Sequence, residues 1–141
     1  MKVLLDTCTL AELRKPSPNA AVVAAIRAIP DAQLFVSVLS LGEIAKCVGL
    51  LAAGKKRDAL ATWLAALDGQ FSDRLLELDV GTAKLCGELT ARAQKKGVVI
   101  PTIDGLLAAT AFHHGLCVMT RNVGDFKASG ARVLNSWQED N

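Results

Sequence analysis

A chain of 141 residues is long enough for one domain with a substantial core, and a composition 51% hydrophobic and 21% charged excludes a disordered chain. The formal charge of +2 is too small to argue for nucleic acid by itself, so any basic surface has to be local. Tyr is absent and aromatics make up 4%, which leaves the core to Leu, Val, Ile and Ala.

Val3-Leu4-Leu5 runs without polar alternation into Asp6, the pattern of a strand buried on both faces. Thr7 to Arg14 reads as a short helix, stopped by Lys15-Pro16-Ser17-Pro18. Asn19 caps a second helix from Ala20 to Ala28, ended by Pro30-Asp31, and Leu34 to Val38 is the second strand. A third helix is expected from Ser40 to about Ala53 and a fourth from Lys55 to about Leu67, with Gly54 between them. Leu50, Leu60, Trp63, Leu64 and Leu67 recur at helical spacing, so the pair reads as a helical hairpin with one apolar face. Leu75 to Leu78 is the third strand. Val80 to Lys96 is a long amphipathic helix closed by Gly97, and Val98-Val99-Ile100-Pro101 leads to another from Thr102 to His114, closed by Gly115. Leu116 to Met119 is the fourth strand, Thr120 to Gly130 a loop holding a single helical turn, and Arg132 to Leu134 the fifth strand. The polar tail, Gln138 to Asn141, is expected to fray.

Strands alternating with helices predict a three-layer α/β/α sandwich on a mostly parallel five-stranded sheet. With no repeat, linker or low-complexity stretch, residues 1–141 read as one domain. Cys8, Cys47, Cys86 and Cys117 form no C-x-x-C pair, which points away from zinc and towards free thiols in a reducing cytosol. Met1-Lys2 leads straight into the first strand, and no apolar run approaches the ~20 residues of a membrane span. A soluble cytoplasmic protein is expected.

In parallel sheets, working residues lie just beyond the carboxyl ends of the strands, and four acids are expected there. Asp6 ends the first strand and fits a helix N-cap as well as a site. Glu43 completes a capping box with Ser40, yet also faces the same sheet end. Asp104 suits a first helical turn, and Gly105 beside it permits close approach by backbone or ligand. Asp125 fits an Asx turn, near Asn122 and Thr120. Four carboxylates in one place repel and call for a cation, and hard oxygen donors without His or Cys suit Mg²⁺ or Mn²⁺. Their crowding predicts at least one raised carboxyl pKa.

The stretches Leu4-Leu5-Asp6-Thr7, Ser40-Leu41-Gly42-Glu43-Ile44, Pro101-Thr102-Ile103-Asp104-Gly105-Leu106-Leu107-Ala108-Ala109-Thr110-Ala111 and Thr120-Arg121-Asn122-Val123-Gly124-Asp125-Phe126 carry a resemblance. In order and spacing, across essentially the whole chain, they resemble the PIN-domain ribonucleases, and among these the VapC-type toxins of the FitB-like branch. The resemblance implies a metal-dependent endoribonuclease toxin of a type II toxin–antitoxin system. It implies that Asp6, Glu43, Asp104 and Asp125 bind one or two Mg²⁺ or Mn²⁺ ions, with Thr7 and Thr120 as polar supports and Asn122 as a secondary contact. It further implies RNA as substrate, a cognate VapB-type antitoxin that masks the site, a toxin homodimer, and DNA contact only through the antitoxin. One departure stands out. Cys8 lies where many relatives place Ser or Asn, and a thiol would orient Asp6 more weakly.

Two rivals are weighed. A haloacid-dehalogenase-type phosphotransferase needs a second Asp two residues after the first, where Cys8 sits. A non-catalytic PIN-fold binding module has no need of four intact acids. Outside the acids, His113 and His114 read as helix C-terminal residues, and Arg121 as an RNA-phosphate contact or a structural ion pair. Lys55-Lys56-Arg57 stand against a helix dipole and read as a solvated turn or a partner contact. The Leu-rich hairpin from Ser40 to Leu67 is a further expected partner surface.

Overall fold

Unbroken apolar triplets do form the centre of the sheet in the computed structural model, which describes residues 1–137. The elements in chain order are β1 (Val3–Leu5), α1 (Thr7–Arg14), α2 (Ala20–Arg27), a 3-10 turn (Asp31–Gln33), β2 (Leu34–Ser37), α3 (Val38–Leu50) and α4 (Lys55–Gln70). They continue with β3 (Leu75–Leu76), α5 (Val80–Lys95), α6 (Thr102–His114), β4 (Cys117–Met119), α7 (Val123–Ala128) and β5 (Val133–Leu134). The sheet order is β3-β2-β1-β4-β5, and every neighbouring pair is parallel.

Both faces of the sheet are covered. Val3, Leu5, Leu34, Val36 and Met119 face one core with Leu10 of α1, Ile44 of α3 and Leu67 of α4. Leu4 and Val118 face the other with Leu107, Ala108 and Ala111 of α6 and Phe126 of α7. Successive strand residues therefore serve opposite cores, which is why β1 and β4 are apolar at every position. Helix α5 lies outside α6 through Cys86, Leu89 and Ala109. Gly105 of α6 makes that approach possible, because a Cβ there would come within 2.8 Å of the Thr90 methyl and 3.2 Å of Cys86 Sγ. Helix packing, not a ligand, accounts for this glycine.

Several boundaries move. Helix α3 starts at Val38, ahead of the expected Ser40, since Ser37 caps it by accepting the Leu39 N–H at 3.1 Å. Ser40 is consequently inside the helix, buried, and its hydroxyl has no hydrogen-bond partner among the described residues, so no capping box with Glu43 forms. Helix α3 stops at Leu50, and α4 runs on to Gln70. Leu60, Trp63, Leu64 and Leu67 pack against the core as the spacing predicts, whereas Leu50 points outward at 77% exposure. Strand β3 shortens to Leu75–Leu76, leaving Leu78 exposed. The loop after β4 contains a helix, α7, with Asp125 in its first turn instead of an Asx turn. Asn19 caps α2 as expected, accepting the Ala21 and Val22 N–H groups, and Gly115 ends α6 at φ 67°. Among the described residues, no helix is long and apolar enough to cross a membrane. The polar tail, 138–141, lies outside the described residues.

The register positions the site. Leu5 is level with Val36 on one side and Met119 on the other, so β1, β2 and β4 deliver Asp6, Ser37 and Thr120 to one edge. The chain moves from β1 to β2 and β3 on one side, then to β4 and β5 on the other. A parallel sheet that reverses in this way leaves a crevice beyond its strand ends at the switch point, here between β1 and β4.

Candidate functional site

Asp6 sits at that switch point, 6% exposed. Its N–H continues the β1–β4 ladder to the Met119 carbonyl at 3.2 Å, and its Oδ1 accepts the Thr9 N–H at 2.9 Å. The helix-cap reading of Asp6 is thus correct, and the cap is what fixes the carboxylate in the crevice. Cys8 Sγ donates to the two carboxylate oxygens at 3.0 and 3.1 Å. Burial, and then the charge of Asp6, push the Cys8 thiol up to about pKa 11, so it stays protonated and remains a donor.

Glu43 comes from the second turn of α3, where the Thr7 hydroxyl donates to its Oε1 at 2.6 Å. Thr7 begins α1, so this bond ties two helices across the crevice. On the other side Asp104, in the first turn of α6, meets Asp125 of α7. The Asn122 amide group donates to Asp104 Oδ2 at 3.0 Å and to Asp125 Oδ2 at 2.9 Å. Thr120 works one step back. Its hydroxyl accepts the Asn122 N–H at 2.9 Å and, among the described residues, bonds no carboxylate; it shapes the turn that aims Asn122.

The sequence-predicted residues therefore gather at one sheet edge. Asp104 carries the electrostatic mark of that gathering: its pKa is raised from 3.8 to about 6. Burial is the first cause, and Asp125 is the second, as partner for a shared proton and as a like charge. The more distant charges of Glu43 and Asp6 add to it. A raised carboxyl is present as expected, with burial outranking the crowding as its cause. Among the described residues, no three His, Cys, Asp or Glu side chains are grouped so that they could hold a metal ion as they stand. Each carboxylate instead meets a neutral donor: the Cys8 thiol, the Thr7 hydroxyl or the Asn122 amide.

Other polar residues stay apart. Glu12 is buried, but it accepts the Asn19 N–H at 2.9 Å and pairs with Lys15 at 2.7 Å, closing the turn between α1 and α2. His113 lies 3.5 Å from Asp79, the N-cap of α5, and joins two helix ends. Arg121 lies over the Trp137 ring at 5.9 Å, and among the described residues it forms no ion pair with a carboxylate. Sequence reasoning noted Asn122 only as a secondary contact. Its bridging position depends on α7, whose six residues were too short for a periodic signal.

A family profile for the PIN domain matches residues 3–128. The chain belongs to the PIN-domain family. This PIN domain is 33% identical over 140 residues to a VapC ribonuclease of Sinorhizobium fredii, covering 96% of this chain and 98% of that protein. It is 33% identical over 138 residues to Toxin FitB of Neisseria gonorrhoeae, covering 97% of this chain and 99% of the toxin. Among solved structures, FitAB bound to an IR36 DNA fragment superposes with a TM-score of 0.91 at 31% identity, covering 99% of this chain and 98% of that one. The sandwich expected from the alternating elements is the fold of these relatives.

Proposed function

We propose that this PIN domain is the toxin of a type II toxin–antitoxin pair and hydrolyses RNA phosphodiester bonds with Mg²⁺ or Mn²⁺. The observation that carries the reading is the placement of Asp6, Glu43, Asp104 and Asp125 along one sheet edge, near enough for the other three to raise the carboxyl of Asp104, after burial. The donor set suits a hard divalent cation: four carboxylates, no imidazole, and no cationic side chain bonded among them within the described residues. Asp6, Glu43, Asp104 and Asp125 would hold it. When bound, the ion offsets the carboxylate charge and polarises water and the phosphate oxygens.

The chain's own residues supply the rest. The Thr9 N–H and Cys8 orient Asp6, Thr7 orients Glu43, and Asn122 holds Asp104 and Asp125 together. One carboxylate of the set accepts the proton of the attacking water. The VapC and FitB relatives and the FitAB structure bound to DNA support a protein antitoxin as partner and contact with DNA through it; in this reading the antitoxin masks the site. A toxin homodimer completes the reading.

The test is cleavage of labelled RNA by purified protein in millimolar Mn²⁺, in EDTA, and after Asp104→Asn. Cleavage in Mn²⁺ alone, lost in the variant, is the expected result. Equal cleavage in EDTA would remove the metal dependence. No cleavage under any condition would favour the alternative, a non-catalytic PIN-fold binding module.

A further inference from the structure

We infer that the surface cavity between the end of α1 and the start of α4 is a phosphate subsite for the RNA strand, engaged a few nucleotides from the bond that is cut. The inference rests on the ribonuclease reading above and adds where the substrate runs. The cavity has a volume of about 490 Å³ and is lined by Arg14, Leu51, Lys55, Lys56, Ala59 and Leu60. Half of these residues are cations and none is an acid. Among the described residues, Arg14, Lys55 and Lys56 have no carboxylate within ion-pair distance. Three unpaired positive charges around one cavity repel one another and are relieved by an anion.

The position of the cavity ties it to the acids. The start of α1 meets the second turn of α3, where Thr7 bonds Glu43, and further along the residues that close the two helices, Arg14 and Leu51, line the cavity together. Arg14 is seven residues beyond Thr7, and Leu51 eight beyond Glu43, so the cavity opens roughly 10–12 Å from the acids along one seam. A strand held at the carboxylates and laid along that seam brings a later phosphate to the cations. Arg14 is set for the contact, because its guanidinium is held over the Trp63 ring at 5.8 Å. The apolar walls, Leu51, Ala59 and Leu60, offer a surface for the sugar or base of the same nucleotide. Lys55 and Lys56 also gain a purpose. They stand in the first turn of a helix, where positive charge is unfavourable to the helix itself.

The probe is a fluorescein-labelled single-stranded RNA, bound to Asp104→Asn protein over a salt series, with and without Lys55→Gln and Lys56→Gln. The double Gln substitution should weaken binding and flatten the slope of log affinity against log salt by roughly 1.4, about 0.7 per cation on a single strand. Lys55→Arg with Lys56→Arg should retain the original slope, which separates charge from folding. In protein with its acids intact, the Gln pair should raise KM for a long strand at unchanged kcat and leave a dinucleotide, too short to reach the cavity, unaffected. An unchanged salt slope and KM would overturn the inference. So would loss of a co-expressed antitoxin with RNA binding intact, which would assign the cavity to a protein. Absence of cleavage by the unsubstituted protein would sink the proposed function alone, because the slope is read on protein that does not cut.

Discussion

Replacing Asp104 by Asn should stabilise the metal-free protein, although it removes a residue assigned to the site. The folded-state pKa of about 6 lies above the ordinary 3.8, so the folded domain holds the Asp104 proton more tightly than the unfolded chain does. Its contribution to stability is therefore fully present below about pH 4 and is lost as pH rises through about 6. At neutral pH the ionised carboxylate is a liability of roughly 3 kcal/mol if the whole shift is converted. Asp104 is partly exposed, and solvent screening brings this to the order of 1 kcal/mol. Asn removes the charge at nearly constant volume and keeps a carbonyl oxygen for the Asn122 amide. The variant should melt about 4 °C above the unsubstituted protein in EDTA at pH 7. The gap should narrow towards pH 4, where Asp104 is protonated in the folded state and about 40% protonated in the unfolded chain, and close below it. Metal should reverse the order: an ion at ~100 times its dissociation constant adds roughly 2.7 kcal/mol to the protein that binds it, and the Asp104→Asn variant loses most of that gain. Thermal melts of both proteins from pH 4 to 7.5, in EDTA and in Mn²⁺, make the comparison. A variant that melts lower in EDTA at pH 7 would refute the reasoning and make Asp104 a structural helix-start residue.

Gly105→Ala should cost about 1–3 kcal/mol, because the added methyl meets Thr90 at 2.8 Å and Cys86 at 3.2 Å. Thr90→Ala in the same chain should recover much of it, which urea titration of the single and double variants will measure. Cys8→Ala removes both thiol contacts to Asp6 and should lower RNA cleavage, whereas Cys8→Ser should match or exceed the original rate, since a hydroxyl donates better than a thiol. Equal rates in all three would show that Asp6 needs no support beyond its helix cap. Asn122→Ala leaves Asp104 and Asp125 without their shared donor, so the Asp104 carboxyl should titrate at higher pH. NMR titration of its side-chain carbon reads this, and a fall would contradict the bridging role.

Composition and local order alone determined that this is a three-layer sandwich. Apolar triplets such as Val3-Leu4-Leu5 suit only a sheet covered on both faces, and the alternation of strands with helices makes that sheet parallel. The four acids were legible because strand ends and first helical turns are local features, and each acid lies at or beside one. What a local pattern could not contain was decided by tertiary contacts. Ser37 displaced Ser40 as the cap of α3 because β2 ends one residue earlier, leaving Ser40 buried. Gly105 invited a ligand explanation until Thr90 and Cys86 of a different helix filled the space above it. Asn122 joins two acids only because α6 and α7, separated in sequence by β4, meet at the switch point. The raised pKa of Asp104 and the cationic cavity at Arg14 have the same origin. Both depend on groups that the chain keeps apart and the fold brings within reach, and the energy between two charges is set by that distance and by the medium around them.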